Sequence, residues 1–219
     1  ISYNSSAEAI SKGGWLANTI TANDTAVADD TLRAILGYGT VSSSQPTAAQ
    51  ASRFLQQASF GATQQSITDL TQIGYEQWLN QQFQLPLSKH REYMEQRALS
   101  LPGGSKDLNQ NHFSESYWRQ AISADDQLRQ RVAFALSQIF VVSFQDSNVN
   151  NYPRGVASYY DVLQQNAFGN YRDLLEQVSL HPMMGIYLTS LRNQKESGNQ
   201  VPDENYAREV MQLFTIGLY

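Results

Sequence analysis

The sequence predicts an all-α protein, a bundle-like orthogonal array of many helices with little or no strand. Three observations predict it. Apolar residues recur at i, i+3, i+4 and i+7 in one segment after another, the spacing of a helix face. Capping residues and glycines stand where those segments begin and end. Only Phe140-Val141-Val142-Ser143-Phe144 looks like a strand, and no alternating run elsewhere could pair with it.

The elements follow in order. Residues 1–46 are small and polar, with short helices expected over 7–20 and 29–36, and Gly39 to Pro46 reads as a linker of Gly, Ser and Pro. Residues 47–219 form the helical domain. Thr47 with Gln50 makes a capping box, followed by the stripe Ala51, Phe54, Leu55 and Ala58. Gly61 ends that helix and Thr63 opens the next, with Ile67, Leu70 and Ile73 on one face. Gly74 then interrupts before Tyr75, Trp78, Leu79 and Phe83. Pro86 and Pro102-Gly103-Gly104 bracket a charged, mobile helix over 88–101. Ser123 with Asp126 is read as a capping box that opens the longest and most central helix, its stripe being Leu128, Val132, Ala135, Ile139 and Val142. Asn148 to Pro153 is an amide-rich loop. Helices follow over 156–167, 171–180, 183–191 and 204–216, the last two joined by a polar loop from Arg192 to Pro202.

Composition narrows the function classes. The 219 residues include 24 Gln and 14 Asn but only 16% charged residues, with a net charge of −5. That balance argues against a duplex nucleic-acid binder, which needs a basic field to release counterions, and against docking on an anionic membrane surface. Cysteine is absent, which excludes thiolate zinc sites, iron–sulfur clusters and a thiol nucleophile. With three histidines and no spaced His or acidic motif, no metal and no cofactor is read. No apolar run approaches the roughly 18 residues of a membrane span. The chain opens at Ile1 without a leader pattern, and its cysteine-free, amide-rich, acidic character suits an exported protein, periplasmic, cell-surface or extracellular.

Candidate chemistry concentrates near the end. Glu204, Arg208 and Gln212 share one stripe of the last helix, and Asn205, Glu209 and Gln212 an adjacent one. A solvated i,i+4 ion pair and helix-start acids account for the pattern. The alternative is an inward carboxylate–guanidinium cluster doing acid–base or binding work. His181 precedes Pro182 and marks a helix exit; it is either a helix-end partner or a further member of that site. Arg131 and Arg129 flank the start of the helix read as central, and Glu209 is a partner to test for one of them. His90 and His112 are placed in charged or amide-rich loops. Tyr117, Trp118, Tyr152, Tyr159 and Tyr160 fall near loops, where aromatics pack at helix junctions or stack on sugars.

Five segments carry a resemblance. They are Ala51 to Gly61 with Gly74 to Leu79; Gln130 to Phe140; Asn166 to Leu175; His181 to Gly185 with Tyr187-Leu188; and Pro202-Asp203-Glu204-Asn205-Tyr206-Ala207-Arg208-Glu209 through Gly217. In this order they resemble the domain of unknown function 1800 family of exported bacterial proteins. Members of that family continue past the last of these motifs, so the resemblance implies that the chain is an N-terminal half. Many members carry Trp-His-Asn-His-Phe where this chain has Leu136-Ser137-Gln138-Ile139-Phe140, and a histidine at the position of Phe214. A metal site is therefore not carried over. The expectation is an extracytoplasmic scaffold or binding module working with a C-terminal companion segment or a partner protein. The alternative is a secreted enzyme whose Glu204, Arg208, Glu209 and His181 wall is completed by the rest of the chain.

Overall fold

The first helix, α1 (Ala48–Ala58), starts where Thr47 Oγ1 accepts the Gln50 N–H and Gln50 Oε1 accepts the Thr47 N–H, the reciprocal box expected from the sequence. A second box at Thr63 and Ser66 opens α2 (Gln64–Gln84). Gly74 interrupts α2 at φ 79°, a left-handed conformation that only glycine adopts without strain, so two helical runs meet at a kink. Ala51, Leu55, Ala58, Leu70 and Trp78 form a small apolar cluster between α1 and α2. The Phe54 ring packs with its centroid 4.9 Å from that of Tyr75, tilted, and 5.2 Å from that of Trp78, edge to face. These are residues of the computed structural model of the chain, which describes 45–198 and 201–217. The two short helices expected within 1–46 lie outside the described residues.

The larger core is assembled from α3 (His90–Leu99), α4 (Gln110–Ser123), α5 (Gln127–Ile139), α6 (Pro153–Gln165), α7 (Tyr171–Leu180), α8 (Pro182–Tyr187) and α9 (Asn205–Met211). The last of these widens into a π-helical turn at Gln212–Ile216. No strand or sheet occurs among the described residues, and none of their helices is long and apolar enough to cross a membrane. The hub is α6, which Pro153 starts at a position where a missing N–H costs nothing. It packs against α3, α4, α5, α7 and α8 and buries Val156, Ala157, Tyr159, Leu163 and Gln164.

Three sequence expectations are corrected. Ser123 does not open a helix: it ends α4, its hydroxyl donating back to the Arg119 carbonyl at 2.8 Å. The helix it ends has an amide- and serine-rich sequence that conceals its periodicity. Next, α5 is neither the longest helix nor the hub. Its buried face carries Arg129, Gln130, Ala133 and Ser137, while Ala135 and Ile139 from the expected stripe are exposed. Finally, the helix expected over 204–216 is α-helical only to Met211.

The inward polar face of α5 joins a buried amide layer. Gln164 Nε2 donates to Gln130 Oε1 at 2.9 Å and Gln120 Oε1 at 3.3 Å, and the Gln164 carbonyl accepts from Arg129 at 3.1 Å. Asp126 accepts the Ser88 N–H at 3.1 Å, and Asp161 accepts those of His90 and Arg91 at 2.7 and 3.0 Å. Each such bond contributes only ~1 kcal/mol net, but stranding a buried partner costs ~1–3 kcal/mol. Replacing Gln164 by Leu removes the donor shared by Gln120 and Gln130. Urea unfolding of Gln164→Leu should show a loss of ~2–4 kcal/mol; a loss no greater than a surface change would contradict the role given to this layer.

Candidate functional site

A cleft of about 410 Å³ opens between the amide loop and the exit of α8. On one wall the loop is folded by Asp146, whose Oδ1 accepts the Asn148 and Val149 N–H groups at 2.8 and 3.0 Å, and pinned by fully buried Val149. This turns Asn148, Asn151 and the half-exposed Tyr152 toward the opening. On the other wall lie Gly185, Ile186, Thr189, Leu191 and Arg192. The Leu191 N–H closes that turn on the Gly185 carbonyl at 2.8 Å.

Two residues of that wall are strained. Thr189 and Arg192 have φ of 58° and 65°, in the left-handed region that β-branched and long side chains avoid. Each costs ~1–2 kcal/mol and persists only where surrounding contacts hold it. Here Asp203 is the clamp. Its carboxylate accepts the Thr189 hydroxyl at 2.7 Å and the Asn205 N–H at 2.8 Å, which hold it below the usual carboxylate range. Its backbone pairs both ways with the Asn193 amide, at 2.6 and 2.9 Å.

The residues singled out in the sequence fall elsewhere. Glu204 and Arg208 form an i,i+4 ion pair on an exposed surface, worth little there. Asn205 is exposed, starts α9, and gives its N–H to Asp203. Gln212 begins the π turn. Glu209 is half-buried, and its Oε2 is shut off from water with no hydrogen-bond partner among the described residues. Arg131 donates to the Gln57 carbonyl at 3.3 Å and lies over the Phe60 and Phe134 rings, so its partner is not Glu209. Arg129 lies 4.5 Å over Phe168. His181 caps both helices it separates. Its Nδ1 accepts the Met183 N–H at 3.2 Å, which leaves the proton on Nε2 facing Ser158 Oγ at 3.4 Å. Burial pushes its pKa down, and no ring nitrogen is left free to take a proton. Neither His181 nor Glu209 lines this cleft or a second one of about 330 Å³ around Lys89, Tyr93 and Arg119.

The buried layer holds a histidine that sequence reasoning placed in a charged loop. His90 is fully buried, not in a loop, with Nδ1 3.0 Å from Ser116 Oγ. Ser116, His90 and Asp161 are the residue types of a hydrolytic triad, but they are not arranged as one. Asp161 bonds the main chain of His90 rather than its ring, and Ser116 has no exposed surface. No group of three or more His, Asp or Glu that could hold a metal occurs among the described residues. The cleft residues Thr189 and Arg192 carried no signal in the sequence. The flanking amide loop and the loop starting at Arg192 were visible only as polar segments.

Comparison with known proteins gives one result. A family model described as protein of unknown function (DUF1800) matches residues 53–219. No curated protein and no solved structure matches the chain.

Two outcomes follow from this geometry. Replacing Arg192 by Gly removes the left-handed strain at an exposed position, so Arg192→Gly should unfold at higher urea, by ~0.5–1 kcal/mol; destabilisation would show that the side chain has a structural partner. The second concerns pH. Burial lowers His90 from 6.5 to about 3, so folding loses stability as pH falls from 6.5 toward 3. Burial raises Asp161 from 3.8 to about 6, so folding regains stability as pH falls from 6 toward 3.8. Between pH 6 and 4 the two slopes oppose, each about 1.4 kcal/mol per unit. Asp161→Asn should therefore make the chain more acid-labile than wild type across that window, and His90→Gln less so. Parallel stability–pH curves for all three proteins would contradict these assignments.

Proposed function

The chain belongs to the DUF1800 family, and from that premise we propose that it is an extracytoplasmic binding module whose last described helix docks another polypeptide, either the rest of its own chain or a partner. The observation that carries this reading is the outward-facing apolar surface at the end of α9. Tyr206 and Phe214 hold the helix down: the Tyr206 hydroxyl bonds Ser179, and the Phe214 ring lies 5.0 Å from that of Phe140. The wider π turn keeps Phe214 on the face of Tyr206 and Val210 and carries its neighbours outward. Met211, Leu213 and Ile216 are left 58, 52 and 70% exposed. Ile139 and Val141, on either side of the Phe140 that Phe214 packs against, are exposed as well. The Glu209 oxygen that lacks a donor lies on the same helix, a polar group that an incoming chain could satisfy.

Contiguous exposed apolar residues of this kind mark interaction surfaces. The extracytoplasmic setting is supported by composition: no cysteine, few charges and many amides. A photo-crosslinking residue placed at the exposed Met211, followed by native mass spectrometry of the intact material, tests the reading. The expected result is a crosslinked second polypeptide, or crosslinking to a distant segment of the same chain. Leu213→Asp with Ile216→Ser should abolish it while leaving the urea midpoint within ~0.5 kcal/mol, because both side chains are already exposed. A lone chain with no crosslink, identical in wild type and variant, would end the docking proposal.

A further inference from the structure

The cleft between the amide loop and the strained turn rests on different residues from the docking face and stands or falls without it. Its volume, about 410 Å³, lies within the ~300–1,000 Å³ of small-ligand sites. It is broad and open, which suits a ligand lying along it rather than one swallowed whole. Its chemistry is mixed. The Tyr152 ring is 51% exposed at the mouth and offers an aromatic face to C–H groups. Asn148 and Asn151 stand beside it, and amides both donate and accept, the pairing that vicinal hydroxyl groups require. Asn151 commits its Nδ2 to the Ser147 carbonyl at 3.0 Å, which leaves its Oδ1 as an acceptor facing a ligand.

Charge narrows the ligand class. The two carboxylates behind the cleft, Asp146 and Asp203, are occupied by N–H and O–H groups of their own loops. Arg192 is the only ionised side chain lining the cleft, and its guanidinium has no hydrogen-bond or ion-pair partner among the described residues. A planar, unpaired guanidinium matches a carboxylate through two parallel bonds. The chain is acidic overall, at −5, so long-range attraction does not bring an anion here and recognition must be local. Arg192 also sits in left-handed backbone that Gly or Asn would occupy with less strain, so its side chain is kept at a cost.

We infer that this cleft binds an acidic oligosaccharide, a glycan containing uronic acid. Tyr152 stacks beneath one sugar ring, Asn148 and Asn151 bond its hydroxyls, and Arg192 pairs with the carboxylate. A peptide carboxylate would also satisfy Arg192, and its backbone could bond the two amides; the exposed Tyr152 face beside them is what favours a sugar ring.

Isothermal titration of the full chain tests this with two probes: the α-1,4-linked trisaccharide of galacturonic acid and the corresponding neutral galactose trisaccharide. The acidic trisaccharide should bind ~10-fold or more tightly than the neutral one. Arg192→Gln should bring the two to equal affinity. Tyr152→Ala should weaken both by ~10-fold, and Tyr152→Phe, which keeps the ring, should stay within ~3-fold of wild type. Both positions are exposed, and unchanged thermal unfolding of each variant would show that binding, not folding, is being read. Failure of both saccharides to bind at millimolar concentration would overturn the inference, as would equal binding of the two by wild type. Binding of an acidic peptide in place of either sugar would overturn it as well.

Discussion

Two inward-facing carboxylates, fully buried Asp126 and half-buried Asp161, organise the larger core. A helix beginning at His90 has N–H groups with no partner in its own first turn, and Lys89 at its N-cap supplies no side-chain acceptor. Asp161, about seventy residues further along, accepts two of those N–H groups from the middle of α6, and Asp126 accepts the one at Ser88. These bonds do locally what a capping residue does, but they also tie α3 to the hub and to the start of α5. The rest of the layout follows. With α6 fixed, the Tyr159 hydroxyl reaches the Phe140 carbonyl at 2.9 Å, and Phe140 receives Phe214. The N-terminus of the same helix places Tyr152 at the cleft.

This arrangement also accounts for the composition. Burying a charge without a partner is far more costly than burying an amide, even one such as Gln164 whose Nε2 is bonded and whose Oε1 has no partner among the described residues. The chain fills the space between α4, α5 and α6 with Gln120, Gln130 and Gln164, and uses Gln82 and Gln127 where helices meet loops, each bonded to backbone across the junction. Charges are largely left at the surface, as where Glu95 lies between Arg91 and Arg154 on a partly exposed face. Such pairs contribute ~0–1 kcal/mol. Specificity of packing therefore rests on amide geometry, and the low charged fraction is a consequence of it.

The same device explains what was legible beforehand. Helices α1, α2 with its glycine kink, α6 and α7 bury conventional apolar faces and were readable from spacing and caps. Helix α4 was not, because its buried face includes Ser116 and Gln120 alongside Phe113 and Ala121. In α5 the apolar stripe pointed the wrong way for a related reason: Arg129 and Gln130 go inward to meet Gln164, and Ile139 goes out. Periodicity treats a buried glutamine as surface, and only the partner across the interface reveals otherwise. At the candidate site the gap is different in kind. The amide loop and the loop after Arg192 were visible as polar segments, but their meeting depends on left-handed Thr189 and Arg192. Residues of those types give no local signal of positive φ.

Backbone strain and committed carboxylates stand together in this region. A turn through Gly185 and Leu191 could have been closed with Gly or Asn at the left-handed positions at lower cost. Instead Thr189 is held by Asp203, whose carboxylate stays ionised but is directed to the N–H of Asn205 and the hydroxyl of Thr189 in its own loop. Asp146 is committed in the same way on the opposite wall. Neither acid lines the cleft, and Arg192 is its one ionised lining side chain among the described residues. The strain at Arg192 lies in its backbone, where a Gly or Asn would sit more easily, while its guanidinium has no partner among the described residues. That unpartnered guanidinium is the physical reason to place recognition here rather than at the exposed Glu204–Arg208 pair, where each charge already has its partner.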